Sequence, residues 1–140
     1  MKIYLAIKFH GDLSNKQLIE DISESLKLSG NEVVVMARDY EKWGEVKFSP
    51  KELMKLTFKI TEESDLLLVE FSEKGVGLGI EAGYAYAKGI PIVVIAKSGS
   101  DISETIKGVA KEVIFYNKAE EVGENIKKFI SWETDSIDRK

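Results

Sequence analysis

The chain of 140 residues has no cysteine, a single histidine and only two prolines. The absence of cysteine excludes disulfides and thiolate metal sites, and one histidine argues against a zinc site. The start, MKIYLAIKF, has too short an apolar run for a signal peptide, and no segment reaches the apolar length of a membrane span. We therefore expect a cytoplasmic protein that needs no metal, no other cofactor and no membrane partner.

An excess of positive charge is also missing. The 20 lysines and arginines are outnumbered by 24 aspartates and glutamates, which gives a net charge of −4. Binding to a nucleic acid polymer usually needs a basic surface, so we expect a small-molecule partner instead. Hydrophobic residues make up 44% of the chain and charged residues 31%, which is typical of a folded globular protein.

Five strand-like segments alternate with segments of helical periodicity. DLLLVEF and IPIVVIA are continuous apolar runs, as expected for strands that helices cover on both faces of a parallel sheet. Together with KIYLAI, EVVVMA and EVIFY they predict a single-domain α/β fold over residues 1–140. We expect a doubly wound five-stranded parallel sheet, flavodoxin-like or Rossmann-like, with ligands at the carboxyl ends of its strands. The polar residues 133–140 are expected to fray.

Capping residues mark the predicted helices. Ser14 with Gln17 and Ser49 with Glu52 have the spacing of capping boxes, and Asp101 is expected to cap a short helix in DISETIKG. Between the second strand and the Ser49 helix lies a polar segment without periodicity, residues 38–48. We interpret it as a loop whose tyrosine and tryptophan could cover a ligand as a mobile lid.

The segment KGVGLGIEAGYAYAKGI contains one acidic side chain, Glu81. Gly75, Gly77 and Gly79 remove side chains where the chain turns from a strand into a helix, so that the backbone can approach a ligand closely. Glu81 has two interpretations at this point. It could be a solvated acid in the first turn of the helix, or a pocket carboxylate that the helix dipole keeps ionised for attack on a sugar.

A dinucleotide site is not favoured. Gly77, Gly79 and Ala82 formally satisfy the pattern G-x-G-x-x-A, but that pattern belongs after the first strand of a dinucleotide-binding domain. The turn that follows the first strand here, IKFHGDLS, lacks it. Small residues in this helix also allow close packing on a sheet.

The sequence GVGLGIEAGYAYAKGIPIVVI resembles the signature of the nucleoside 2-deoxyribosyltransferase family, which includes the related 2'-deoxynucleoside 5'-phosphate N-hydrolases. The resemblance extends to KIYLA, SDLLLVEF and SGSDISETIKG. It implies one domain of this family, in which Glu81 attacks C1' of a deoxyribose and expels the base. Water or a second base would then resolve the glycosyl-enzyme intermediate, as in a hydrolase or a transferase.

The resemblance also implies further site residues. Tyr4 corresponds to a tyrosine near the sugar, although a core aromatic is an equally good interpretation. Ser103 matches a serine that reaches a 5'-phosphate across a subunit interface, which implies a homodimer or higher homo-oligomer; helix capping is the alternative. His10, flanked by Lys8, stands in place of a phosphate-binding arginine, and Gly75 in place of a serine.

One departure from the family pattern affects the chemistry. An aspartate that helps to position sugar and base falls at Thr57, and a threonine cannot act as a general acid at neutral pH. The nearest acidic residues that could substitute for it, Glu62, Glu63 and Asp39, are out of register.

Two alternative functions remain beside the enzyme. Because of Thr57, the protein could be a non-catalytic nucleotide-binding module that kept the pocket. An NAD-cleaving or TIR-like glycohydrolase would share the glutamate chemistry but has no separate support in the residues.

Overall fold

The computed structural model describes residues 1–138 of the chain, with side chains described through residue 135. This part of the chain forms five strands and six helices, and two short 3-10 turns, Lys42–Gly44 and Ala119–Glu121, complete the path. The elements are β1 (Lys2–Ile7), α1 (Lys16–Leu28), β2 (Glu32–Val34), α2 (Met36–Asp39), α3 (Pro50–Glu62), β3 (Leu66–Glu70), α4 (Val76–Ala87), β4 (Ile92–Lys97), α5 (Glu104–Lys107), β5 (Glu112–Tyr116) and α6 (Val122–Asp138).

The strands form one parallel sheet in the order β2-β1-β3-β4-β5, which confirms the predicted flavodoxin-like topology. Every residue of β3 is buried, as are the first five residues of β4. Their continuous apolar sequences fit this burial, because a central parallel strand has helices on both of its faces. The order of the chain reverses between β1 and β3, so the carboxyl ends of these two strands flank the switch point.

Two hydrophobic cores lie on opposite faces of the sheet. One contains buried residues of α1 and α6, including Ile22 and Ile126. The other contains residues of α3, α4 and α5, including Ile60, Ala85 and Ile106. Small residues on the inner side of α4 let this helix pack closely against the sheet, which brings its first two turns next to the carboxyl ends of the strands.

The predicted cap at Ser49 is confirmed, and two others are wrong. Ser49 accepts a hydrogen bond from the amide of Glu52 at 3.2 Å. At α1 the capping position is Asn15, whose side chain instead closes the preceding loop by contacts with the backbone of residues 8 and 10. At α5 the cap is Ser103 rather than Asp101, and its hydroxyl accepts from the amide of Thr105.

The segment of residues 38–48 is more regular than expected for a loop, because α2 and the 3-10 turn Lys42–Gly44 occupy much of it. Neither of its aromatic residues, Tyr40 and Trp43, is among the residues that line the candidate site described below. Trp43 lies against Phe9, with ring centroids 5.7 Å apart, and Lys16 lies over the indole at 5.0 Å. Tyr40 packs against the core on the side of α3 and α4. The mobility of the segment stays a prediction.

The last helix continues through Asp138, so the polar end of the chain is helical as far as residue 138. Residues 139 and 140 lie outside the described part, and fraying from residue 133 stays a prediction. Within residues 1–138, no helix combines the length and the apolar character that crossing a membrane requires.

Candidate functional site

A cavity of about 280 Å³ opens beside β1, between the segment that follows β2, the helix α3 and the start of α4. Most of its wall is apolar, and three ionisable side chains interrupt it: Tyr4, Glu41 and Glu81. No lysine, arginine or histidine is among the residues that line it. We call this space the Glu81 cavity. The remaining lining residues are Leu5, Ile7, Phe9, Val35, Met36, Ala37, Leu53, Met54, Thr57, Gly77 and Leu78.

Glu81 is buried, with 8% of its surface exposed, and its Oε2 atom accepts no hydrogen bond. Burial raises the pKa of this carboxyl to about 7, while a hydrogen-bonding interaction with the Tyr4 hydroxyl acts in the opposite direction. The interpretation of Glu81 as a solvated surface acid is therefore wrong. The helix dipole does not dominate the pKa of Glu81 as expected, because Glu81 is the sixth residue of α4 and desolvation raises its pKa there.

Tyr4 lies on β1 with 2% of its surface exposed. Burial raises the pKa of its phenol well above the usual value, and the carboxylates of Glu81 and Glu41 add to this effect. Tyr4 therefore keeps its proton across the physiological range. A protonated phenol next to Glu81 can donate a hydrogen bond to the carboxylate or to a sugar oxygen.

The three predicted loop glycines lie at the start of α4, and they differ in their relation to the cavity. Gly75 is the residue before the helix, while Gly77 and Gly79 lie inside it. Of the three, only Gly77 lines the Glu81 cavity. None of them has a positive φ, and a Cβ at Gly77 would meet no atom within 4 Å. Neither backbone conformation nor packing therefore requires glycine at this position of the cavity wall.

Lys8 and His10 line a neighbouring cavity of about 200 Å³, which also contacts Lys97. Ile7 belongs to the walls of both cavities, so the two lie side by side at the end of β1. Glu73 engages both predicted residues: its Oε2 is 2.8 Å from Nε2 of His10 and 4.0 Å from Nζ of Lys8. The hydrogen bond with His10 lowers the pKa of the Glu73 carboxyl. We call this space the Lys8 cavity.

Glu70 on β3 is a second acid in the wall of the Lys8 cavity, and it is fully engaged. The hydroxyl of Tyr116 donates to its Oε2 at 2.8 Å, and the amide of Ser72 donates to its Oε1. Burial raises the pKa of Tyr116 above its usual value, and Glu70 reinforces this. These bonds give Glu70 a structural role in joining β3 to β5.

Ser103 lies apart from both cavities within a single chain. It caps α5 and lines neither the Glu81 cavity nor the Lys8 cavity. One copy of the chain therefore brings together Glu81, Tyr4 and Gly77, with Lys8 and His10 next door. It does not bring Gly75, Gly79 or Ser103 to them.

Thr57 lines the Glu81 cavity, but its hydroxyl is committed to the carbonyl oxygen of Met54 at 3.0 Å. None of the acids considered as its substitute lines this cavity. Glu62 pairs with Lys88 and accepts from the hydroxyl of Tyr84, Glu63 pairs with Lys2 and Lys59, and Asp39 is bonded to Arg38.

Glu41 is the cavity residue that reading the sequence missed. It lies seven residues after the end of β2, in a segment whose sequence has no periodicity, so no spacing rule connects it with Glu81. One available signal was its position beyond the carboxyl end of β2, the edge at which such folds bind ligands. Within the described residues, no cluster of histidine, aspartate and glutamate has an arrangement that could hold a metal ion.

Comparisons with known proteins give similarities in sequence and in fold. No protein-family model matches the chain. A protein of Thermofilum pendens, provisionally assigned as 2'-deoxynucleoside 5'-phosphate N-hydrolase 1, is 28% identical over 145 residues, which cover 99% of both chains. The structure of a CMP N-glycosidase of Clostridium botulinum is 25% identical and covers 92% of this chain and 99% of its own, with a TM-score of 0.68.

A third relative supports the fold. A 2-deoxyribosyltransferase of Bacillus psychrosaccharolyticus has a TM-score of 0.67 at 21% identity, over 88% of this chain and 90% of its own. The chain is therefore similar over its full length to a 2'-deoxynucleoside 5'-phosphate N-hydrolase, and it shares its fold with a CMP N-glycosidase and a 2-deoxyribosyltransferase, which agrees with the resemblance found in the sequence.

Proposed function

We propose that this chain is an enzyme that cleaves or transfers the N-glycosidic bond of a 2'-deoxynucleoside or its 5'-monophosphate. One observation carries the proposal: the Glu81 cavity contains a buried carboxyl whose Oε2 has no hydrogen-bond partner. Buried polar atoms are nearly always paired, and exceptions are found where a reactive group is needed. The activities of the relatives, N-hydrolysis, N-glycosidic cleavage and deoxyribosyl transfer, support the same class of reaction.

In the first half of the reaction, an oxygen of ionised Glu81 bonds to C1' while the bond from C1' to the base breaks. The electron pair of that bond leaves with the base. A carboxylate held in an apolar wall is poorly solvated, so its attraction to the cationic, oxocarbenium-like sugar is strong. Tyr4 steadies the carboxylate as a hydrogen-bond donor, since its phenol stays protonated.

In the second half, the ester between Glu81 and the sugar is broken at C1' by an incoming nucleophile. Water would give a free sugar, and a second base would give a new nucleoside. Both substitutions occur at the same carbon, so two inversions give overall retention. Gly77 supports this arrangement because, without a side chain, its backbone leaves room for the sugar beside Glu81.

The Lys8 cavity is the proposed position of a 5'-phosphate. Lys8, His10 and Lys97 supply hydrogen-bond donors there, and the shared residue Ile7 puts them next to the Glu81 cavity. A phosphate that entered would compete with the exposed carboxylate of Glu73 for these donors. Charge-assisted bonds to phosphate are the stronger of the two, because a phosphate carries more charge and more acceptor oxygens.

A panel of substrates tests the proposed function. We expect the protein to release free base from at least one deoxynucleoside or deoxynucleoside 5'-monophosphate, as separated by chromatography. Adding a second free base distinguishes the two reaction types, since a new nucleoside identifies a transferase. If the Lys8 cavity holds phosphate, Lys8→Met should raise the KM for monophosphates about tenfold or more, the effect of one charged contact, and leave nucleosides unaffected.

The same panel tests the second candidate, a nucleotide-binding module without turnover. The observation that favours it is Thr57, which lines the cavity where the family has an aspartate and has its hydroxyl committed to Met54. A module of this kind would bind nucleotides in calorimetry and release no base from any member of the panel.

The oligomeric state decides whether Ser103 belongs to the site. Because Ser103 lines neither cavity of its own chain, it could reach a substrate only in a neighbouring copy. We expect light scattering at micromolar concentration to show at least a dimer, and Ser103→Ala to weaken binding of monophosphates but not of nucleosides. A clean monomer would remove Ser103 from the site and leave it as the cap of α5.

A further inference from the structure

A second carboxyl group, that of Glu41, lines the Glu81 cavity from the segment that follows β2. Glu41 follows α2, and its backbone is fixed at both ends. Its amide donates to the carbonyl of Met36 at 2.9 Å, and its carbonyl accepts from the amides of Gly44 and Val46 at 3.0 and 2.9 Å. These three bonds hold Glu41 in place at the cavity wall.

The side chain of Glu41 is not used elsewhere in the fold. Among residues 1–135, whose side chains are described, it makes no ion pair and no hydrogen bond, in contrast to Asp39, which binds Arg38 and the amide of Val35. Burial raises the pKa of the Glu41 carboxyl above its usual value. It lies close enough to Tyr4 for its charge to contribute to the raised pKa of that phenol.

We propose that Glu41 is the catalytic acid and base that works together with Glu81 in this cavity. This inference rests on the proposed N-glycosidic reaction and extends it to the fate of the proton. In the first half, the carboxyl of Glu41 gives its proton to a nitrogen of the departing base as the bond to C1' breaks, and Glu41 becomes a carboxylate. In the second half, this carboxylate takes a proton from the attacking water, or from the ring nitrogen of the incoming base. The proton that Glu41 lost is thereby restored, and Glu81 is released as a carboxylate.

The other groups on the cavity wall are poor candidates for this role. The Thr57 hydroxyl already donates to the carbonyl of Met54, and an alcohol is too weak an acid. Tyr4 has a pKa raised well above that of a free phenol, which makes it a weaker proton donor. A carboxyl group is a stronger acid than an alcohol or a phenol, and burial, which raises the pKa of Glu41, lets it keep its proton to a higher pH than an exposed glutamate.

Leaving-group dependence separates a proton donor from a residue that only shapes the pocket. A base that leaves readily does not need protonation. We therefore compare Glu41→Gln with the wild type on the substrate that the wild type accepts and on an activated counterpart, N7-methylated for a purine or 5-fluorinated for a pyrimidine. Glu45→Gln is the matched control, because Glu45 is exposed on the same segment and lines no cavity.

We expect Glu41→Gln to lower kcat at least ~100-fold on the ordinary substrate and less than ~10-fold on the activated one, the range over which proton transfer contributes. The alkaline limb of the pH profile should disappear in this variant. Glu41→Ala, which opens space beside the base, should recover part of its activity when formate is added, and Glu45→Ala should not respond to formate.

Equal losses on both substrates would overturn the proposal and make Glu41 a packing residue, and so would full activity of Glu41→Gln. Should Glu41→Gln fail to fold, the formate response of Glu41→Ala decides, and no recovery would count against the proposal. If the wild type itself turns over no substrate of either kind, the proposed function fails and the role of Glu41 fails with it.

Discussion

Glu81→Gln is expected to lose at least ~100-fold in kcat, and turnover should fall to the background of the assay, because an amide is a very poor nucleophile of almost the same shape. Binding of a nucleotide should survive, since the variant removes a negative charge from the cavity and fills the same volume. When the reaction of the wild-type protein with its substrate is quenched with acid, the peptide that contains Glu81 should carry a deoxyribosyl group. Mass spectrometry detects this group. The variant should carry none.

The pH dependence of the wild-type enzyme follows from the same residue. Glu81 must be ionised to attack, and its pKa is about 7 in the folded protein, so its ionisation sets the rising, acid limb of kcat/KM. In the wild type, loss of the Glu41 proton sets the falling limb, whereas in Glu41→Gln kcat/KM should rise with pH up to and through about 7. Tyr4 and Glu41 are the other ionisable groups that face it, and Tyr4 does not titrate in this range. Turnover at the wild-type rate in Glu81→Gln would refute the nucleophile, as would an adduct that maps to another residue.

The second large effect concerns stability. The pKa of Glu81 rises from 4.5 to about 7 on folding, so the folded protein holds a proton that the unfolded chain has released between these values. The free energy of unfolding therefore falls as the pH rises from about 4.5 to 7. Across this window the ionisation of Glu81 destabilises the folded state by about 3 kcal/mol, at roughly 1.4 kcal/mol for each pKa unit.

Glu81→Gln should remove that dependence. The quantity to compare is the free energy of unfolding of the variant minus that of the wild type. We expect this difference to be about 3 kcal/mol larger at pH 8 than at pH 4. The effects of changed shape and packing are the same at both pH values and therefore cancel. Denaturant unfolding of both proteins at both pH values measures it, and Glu45→Gln should show no comparable difference. If this difference were instead smaller at pH 8 than at pH 4, ionised Glu81 would be stabilised by contacts in the folded protein.

These two results would have one cause. A carboxylate kept in an apolar wall reduces the stability of the folded protein and gains reactivity, a frequent relation between stability and activity at enzyme sites. A structural glutamate would give the opposite combination, with stability lost in the variant and activity reduced in proportion. Measuring turnover and unfolding on one variant therefore separates the two roles of Glu81.

The sequence by itself determined the architecture of the protein. The continuous apolar runs of β3 and β4 predicted buried parallel strands, and alternation with helical periodicity predicted their order in the sheet. It also drew attention to Glu81, since no other acid occurs in the apolar segment around it. Such features are local or periodic, and a single sequence records them directly.

Only the tertiary structure decided the environment of that glutamate. The wall around Glu81 is built from β1, the segment after β2 and α3, whose residues lie far from α4 in the sequence. A pKa depends on the solvent that those residues exclude, so a carboxylate predicted to be ionised by its helix proves to be desolvated instead. The same packing brings Glu41 into the cavity, keeps Lys8 and His10 in a neighbouring one and leaves Ser103 outside both, because distances between elements follow from how they pack on the sheet.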